Sequence, residues 1–555
     1  MKSFYYQLIS ALLFSLHLVA QPVNQVNPEK ALVELKTLAE AIEISPIQQL
    51  PVHQNGRIKP LDTMAQEMIL YISGSYKKFG LHPVQIYLSL MAFEGAPYIE
   101  IIEIRDLNLR TELGYPKSKR FFSVADVESS PLLQIVEPLF KKQQQAPRTL
   151  NEHEKKTLEA YQQYSLLKEI ITGQSLFTSA DYAYLNLEHK GSSADSELQT
   201  SLKNFFQTLM GTRSEQVAAA ANLIQVSRQQ TPPELFKHYL DKIQIEVLYN
   251  KFRPFFWASL VSIFLGICFF TPLFRNKISA HKTILIYAIP LIMISVGLGL
   301  RVYITLFAPI TNMFGTMIWV SFGITLFSFI LFIIYKNYVI PGITLIASGL
   351  LLMLTEQIPL ILSPDLDPIV AVLRSNFWLS THVTTITISY AAFSIAMVLG
   401  NIGLVRLWLY SDNEAYFKEY SHYAYRMIQL GCFLLTVGII LGGVWADYSW
   451  GRFWGWDPKE TWALIADLGF LAILHSRLTG WITPFSLLAW SPMAYLLVIM
   501  AWYGVNFILA AGLHSYGFSS GGATMVAVFV SAQVALLLAG FYKIHRKYGT
   551  LNPKM

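Results

Sequence analysis

The chain has 555 residues, of which 53% are hydrophobic and only 14% charged, with a formal net charge of +6. A soluble chain of this size carries roughly 25% charged residues, so much of the surface must face something other than water. No basic stripe with interleaved stacking aromatics occurs in the polar part, which excludes nucleic acid as the natural partner. The two cysteines, Cys268 and Cys432, both sit inside apolar runs and read as buried small residues rather than as a disulfide or metal pair.

Residues 1–20 carry Lys2 and then an uncharged apolar run, the pattern of a signal peptide or an N-terminal anchor. Residues 21–250 are polar, with helical periodicity around 28–44, 151–172 and 195–227 and few strand signals. They are expected to form a mainly helical extracytoplasmic domain. From 251 to 545 the character changes. Nine apolar segments follow at about 254–274, 283–304, 313–335, 340–362, 383–408, 427–447, 460–478, 485–510 and 522–541. Each is near the ~20 residues needed to cross the hydrocarbon core. The expected fold class is therefore an all-α polytopic membrane protein, with about nine spanning helices and a cytoplasmic tail at 546–555.

Charge supports one orientation. With the polar domain outside, the inner segments hold twelve Lys and Arg, among them Lys282, Lys336, Arg406, Lys418, Arg426 and Arg477. The outer short loops hold four, Arg301, Arg374, Arg452 and Lys459, or six with Lys251 and Arg253. That asymmetry follows the positive-inside rule and predicts a multi-pass protein of a bacterial cytoplasmic membrane.

Between the sixth and seventh segments lies the stretch 445–462, with Trp445, Trp450, Trp454, Trp456 and Trp462, five of the chain's twelve tryptophans. An interfacial belt scatters tryptophan over many helix ends and has no use for Gly451 and Gly455 between packed indoles. Glycine there lets the backbone approach a flat ligand. A bed of indoles beside Arg452 and Lys459 suits a large planar molecule bearing carboxylates, and haem has that shape: its ring would stack on the indoles and its propionates pair with the cations. The run Trp450-Gly451-x-x-Trp454-x-Trp456-Asp457 resembles the tryptophan-rich WWD signature of the haem-handling proteins of cytochrome c maturation. Across roughly 250–545 the chain is similar to the CcsA/ResC component of the System II cytochrome c synthase. The segment Pro51-Val52-His53-Gln54-Asn55-Gly56-Arg57-Ile58-Lys59-Pro60-Leu61-Asp62-Thr63 also looks like a stretch found ahead of the CcsA part in some larger members, and no function is carried over from it.

Haem needs axial ligands, most often histidine. The topology brings His382, at the start of the fifth segment, and His514, after the eighth, to the depth of the tryptophan stretch. In the family two outer-face histidines flank the WWD loop and ligate haem, and His382 and His514 match them. His475, near the inner end of the seventh segment, is an ionisable group within a span and so a candidate for function. It matches the family's transmembrane histidine implicated in haem uptake from the cytoplasm. The resemblance implies binding of haem b as substrate, its presentation at the outer face, and thioether attachment to the Cys-x-x-Cys-His motif of an apocytochrome c. Expected site residues are His382 and His514 on the iron, with Trp450, Gly451, Arg452, Trp454, Trp456, Asp457 and His475 binding haem. The family also supplies a second transmembrane histidine from a CcsB/ResB portion that has no obvious match here. A separate CcsB/ResB-like subunit is therefore expected as partner, together with apocytochrome c and a thioredoxin-like thiol reductant. The rival reading is a haem exporter or delivery protein without ligase activity. A transporter of another substrate would leave the indoles and histidines unexplained, and no internal inverted repeat is visible. Glu356 and Asp467 are expected about two turns below the outer surface.

Overall fold

The computed structural model describes residues 27–145, 150–176, 194–231, 233–272, 274, 278–367, 376–409, 414–509 and 522–548. The chain divides into two compact units, residues 1–252 and 253–555. The N-terminal run read as a signal or anchor lies outside the described residues.

The first unit is mainly helical. Its helices are α1 (Pro28–Ala41), α2 (Leu61–Ser73), α3 (Pro83–Ala92), α4 (Leu107–Glu112), α5 (Val124–Ser129), α6 (Leu132–Gln145), α7 (Glu152–Ile171), α8 (Ala194–Gln207), α9 (Arg213–Gln230), α10 (Pro233–Leu240) and α11 (Ile243–Phe252). The periodic stretch 195–227 is thus two helices, separated where Thr212 caps α9 with its side chain and starts a new capping box with Glu215. Two short hairpins complete the unit: β1 (Pro51–Gln54) with β2 (Arg57–Pro60), and β3 (Ile102–Glu103) with β4 (Phe121–Phe122).

The β1–β2 hairpin accounts for the motif at 51–63. Asn55 and Gly56 turn the chain with φ of 51° and 79°, the left-handed pair that a two-residue hairpin loop requires. The polar side chains that follow point inward. Arg57 donates two hydrogen bonds to Glu246 (2.8 and 2.7 Å), and Thr63 donates to the same carboxylate (2.8 Å). Lys59 reaches Glu67 at 2.6 Å, and Asn250 donates to both Asp62 and Thr63 at 2.9 Å. Arg57, Lys59, Asp62 and Glu246 are all at most 3% exposed. Glu246 and Asn250 are one turn apart on α11, so the motif clasps one face of that helix.

Among the described residues nine helical stretches are long and apolar enough to cross a membrane, eight of them wholly within the second unit. In chain order they are α12 (Pro254–Cys268, the apolar end of the candidate span Ile243–Cys268), α13 (Ala280–Thr305), α14 (Met313–Tyr335), α15 (Val339–Gln357), α16 (Asn376–Leu409), α17 (Glu414–Trp450), α18 (Pro458–Leu478), α19 (Pro484–Ile499, continued as a π-helix over Met500–Leu509) and α20 (Ala523–Tyr548). Small residues bring backbones together: a Cβ on Gly266 of α12 would stand 2.7 Å from the Gly342 carbonyl oxygen of α15. Phe393 of α16 stacks on Phe470 of α18 (3.8 Å, 7°) and fills the space beside Gly431 of α17. Those three helices form the frame of the candidate site.

Three polar groups in this unit find local partners. Arg301, 2% exposed on α13, donates to the carbonyls of Pro364 and Asp365 (3.0 and 3.2 Å). Asp467 accepts a 2.7 Å bond from Thr436 across α17 and α18. α15 ends at Gln357, so Glu356 lies in its last turn, and Arg253 pairs with it at 2.7 Å. Hydropathy extended that segment through the apolar residues Ile358–Leu362, which have left the helix.

Breaking the buried Arg57–Glu246 pair leaves an uncompensated charge. Arg57→Ala should therefore destabilise the first unit by about 3–5 kcal/mol, seen as a lower thermal midpoint in the intact detergent-solubilised chain, whereas Lys30→Ala, which loses an exposed pair to Glu34, should change it little.

Candidate functional site

His382 stands in the second turn of α16, which begins at Asn376. Its imidazole reaches α17, where Nδ1 lies 2.9 Å from the Gly438 carbonyl oxygen. One turn along α17, the position of a Cβ on Gly442 would be 2.5 Å from His382 Cε1 and 2.7 Å from Nδ1. The ring thus occupies a notch that exists because residue 442 has no side chain. Trp445 closes the notch, its plane within 11° of the imidazole and its centroid 6.1 Å away. Trp445 is 1% exposed and is braced edge-on by Trp450 at 4.6 Å. A backbone carbonyl at Nδ1 selects the tautomer with its proton there, which leaves the lone pair on Nε2.

The stretch 445–462 is not a loop throughout. α17 continues to Trp450, so Trp445 and Trp450 are helical, and α18 starts at Pro458. The connection is Gly451–Asp457. Gly451 ends the helix with φ +70°, and its N–H bonds the Asp447 carbonyl (2.8 Å). Asp457 caps α18, accepting from the Lys459 N–H at 3.0 Å and forming a capping box with Glu460. Glu460 ties the connection together: its carboxylate takes the N–H groups of Gly455 (2.8 Å) and Asp457 (3.2 Å) and an ion pair from Arg452 (3.0 Å). The Arg452 guanidinium also lies 5.5 Å from the Trp450 ring centroid. Trp454 and Trp456 meet edge to face at 5.7 Å and 89°. Trp456 has φ +56° and is 70% exposed. A bulky residue in the left-handed region with its indole turned outward is strained, and such strain concentrates where a ligand is held.

The frame therefore brings His382, Trp445, Trp450 and the connection 451–457 to one end of the α16–α17–α18 cluster. His475 lies 18 residues beyond Asp457 on α18, about 27 Å away at 1.5 Å per residue. It is exposed on a stripe with Leu468, Leu471 and Leu478. His514 falls in 510–521, outside the described residues. Three contributors were not singled out from sequence: Gly438 and Gly442, and Glu460. Each had a signal, the first two as a small-xxx-small pair on a membrane helix and the third as an acid three residues after a helix-capping aspartate.

If Asp457 acts as a cap, Asp457→Asn should hold thermal stability near wild type, while Asp457→Ala should lose about 1 kcal/mol and raise proteolysis at 451–457. Equal losses in both variants would assign the need to charge instead.

With this geometry in place, comparison with known proteins is direct. The family model described as "Cytochrome C assembly protein" matches residues 254–514. The Protein NrfI of Wolinella succinogenes is 29% identical over 505 residues, covering 83% of this chain and 53% of that protein. The cytochrome c biogenesis protein CcsA of Chlamydomonas reinhardtii is 41% identical over 160 residues, 27% of this chain and 44% of that one. The chain thus spans about half the length of these two relatives. It spans far more of the Guillardia theta CcsA, 33% identical over 287 residues that make up 47% of this chain and 92% of that protein. The chain belongs to the cytochrome c assembly family, as a CcsA-type member with nine candidate membrane spans among its described residues.

Proposed function

We propose that the chain binds haem b as substrate at the tryptophan end of the α16–α17–α18 cluster and promotes its covalent attachment to apocytochrome c. The observation that carries this reading is His382: an imidazole oriented through Nδ1 by a main-chain carbonyl, beside indoles, at the mouth of a membrane bundle. Metal-binding histidines are commonly oriented by such a bond on the second nitrogen. His382 and His514 bind the iron from its two faces. The exposed, strained indole of Trp456, with Trp454 and Trp450, packs against the macrocycle on the bed that begins at Gly451. Arg452 is shared between Glu460 and a propionate, and Asp457 holds the start of α18 in place.

The reaction is an addition. Each cysteine sulfur of the Cys-x-x-Cys-His segment forms a C–S bond to one vinyl carbon, and the thiol hydrogen goes to the other. Nothing leaves and no oxidant is consumed, with the iron kept ferrous. The catalytic contribution of the chain is to hold vinyls and thiols in reactive geometry. Haem reaches this end from the opposite face by way of His475, and a CcsB/ResB-like subunit completes the uptake site. The tryptophan end faces the outside of a bacterial cytoplasmic membrane, in line with the positive charge at the other end, and a thioredoxin-like reductant keeps the substrate thiols reduced.

The test is spectroscopic. The purified chain, with its CcsB-like partner, should give a reduced bis-histidine haem spectrum that His382→Ala largely removes and added imidazole restores. His475→Ala should lower haem loading and leave the spectrum of the remaining haem unchanged. Co-expressed apocytochrome should acquire haem that resists acid–solvent extraction. Haem that binds normally but never resists extraction would make the protein a delivery component, and a spectrum indifferent to His382→Ala would end the proposal.

A further inference from the structure

His382 and the indole bed belong to different elements, so one haem can meet both only if those elements keep one register. We propose that Asp467 is a positioning residue that sets this register: by holding Thr436 it fixes α17, which orients His382, against α18, which anchors the connection 451–457. This rests on the reading of His382 as a haem ligand.

The buried face of α18 is narrow, made of Ala463, Ala466, Asp467, Phe470 and Ile473. Phe470 stacks on Phe393, which belongs to α16. Asp467, 4% exposed, is the member of that face that bonds α17: its Oδ2 accepts from the Thr436 hydroxyl at 2.7 Å. The Cys432 thiol, one turn earlier on α17, contacts the same carboxyl. Two residues beyond Thr436 stands Gly438, whose carbonyl oxygen lies 2.9 Å from His382 Nδ1. At about 100° per residue, positions 436 and 438 occupy opposite sides of the helix. One short stretch of α17 therefore holds α18 by one side and the imidazole by the other.

Apolar contact alone fixes such a register weakly. In lipid no hydrophobic drive holds one helix on another, and two alanines give the packing little to catch on. A hydrogen bond weakens steeply when its distance and angle drift, and a carboxyl enclosed in the bundle finds no water to take the place of Thr436. The outer end of α18 is also a long arm. Pro458 lies nine residues before Asp467, about 14 Å at 1.5 Å per residue, so a small tilt at the bond becomes a larger shift at the cap. The connection follows that shift, because Glu460 of α18 holds the N–H groups of Gly455 and Asp457 and the guanidinium of Arg452.

The experiment uses the full chain with its CcsB-like partner, loaded with haem and reduced. Excess apomyoglobin is added, and the rate at which bound haem passes to it is read beside the absorption spectrum. Thr436→Val removes the hydroxyl and keeps the shape, at a position on the exposed side of α17. It and Asp467→Leu should each speed haem loss about 3- to 20-fold, the scale of an interhelical hydrogen bond in a membrane bundle, with the spectrum of the bound haem still bis-histidine. The double variant should lose haem no faster than the faster single one, because the two residues act through one bond. Asp467→Asn, which keeps an oxygen for Thr436, should stay near wild type. Ser328→Ala breaks the buried bond between Ser328 of α14 and Thr344 of α15 and should leave haem loss unchanged, which separates register from a general loosening of the bundle. Wild-type loss in Thr436→Val, an equal acceleration in Ser328→Ala, or a rate in Asp467→Asn as high as in Asp467→Leu overturns the proposal. A spectrum indifferent to His382→Ala overturns the haem reading beneath it instead.

Discussion

An imidazole packed between two helices loses water on the packed side, so the N–H it turns inward needs an acceptor from the protein. Everything at the tryptophan end follows from how α17 answers that need for His382. In an α-helix each carbonyl already accepts the N–H four residues on, yet its oxygen has a second lone pair. The Gly438 oxygen presents that lone pair to Nδ1. A side chain reaches a helix carbonyl only where the helices approach closely, and glycine at 438 and 442 permits the approach: a Cβ at 438 would strike Ile386, and one at 442 would strike the imidazole itself. The ring's position, its tautomer and its stacking on Trp445 are thus consequences of two missing methyl groups.

The nine spans were readable from hydropathy because the hydrocarbon core demands about 20 apolar residues, and that demand is independent of tertiary detail. Their ends were not. α16 and α17 run for 34 and 37 residues, well past the apolar segments, because a helix continues wherever its backbone bonds are made, and polar or aromatic residues at its ends do not stop it. For this reason Trp450, beyond the apolar segment 427–447, looked like a loop residue and is helical. The true stop, Gly451 with φ +70°, is a glycine that the sequence reading had assigned to ligand approach. In the first unit the hairpin turn was present in the pair Asn55–Gly56. The partner of Arg57 was not, since Glu246 lies 189 residues away and no periodicity links the two.

The motif at 51–63 and the stretch at 445–462 make an instructive contrast. In the first, the charged side chains are turned inward and matched with Glu246, Glu67 and Asn250, so the motif is consumed by the fold. In the second, Glu460 and Asp457 are engaged in the same internal manner, but Trp456 is pushed outward on a strained backbone. Folding alone gains nothing from an exposed indole in the left-handed region. The aspartate of the WWD signature is explained by helix capping and its last tryptophan is not.

The same division applies within the bundle. Arg301, Asp467 and Glu356 each have a polar partner in their own unit, as charges at membrane depth must. His475 is placed differently, exposed between Leu471 and Leu478 on a stripe of α18 that also carries Leu468. Against lipid tails the leucines are at home and the imidazole is not. A second protein surface or a ligand on that face would bury the leucines and offer the imidazole a partner. The exposed imidazole among leucines makes α18 the face on which to look for the proposed CcsB-like subunit.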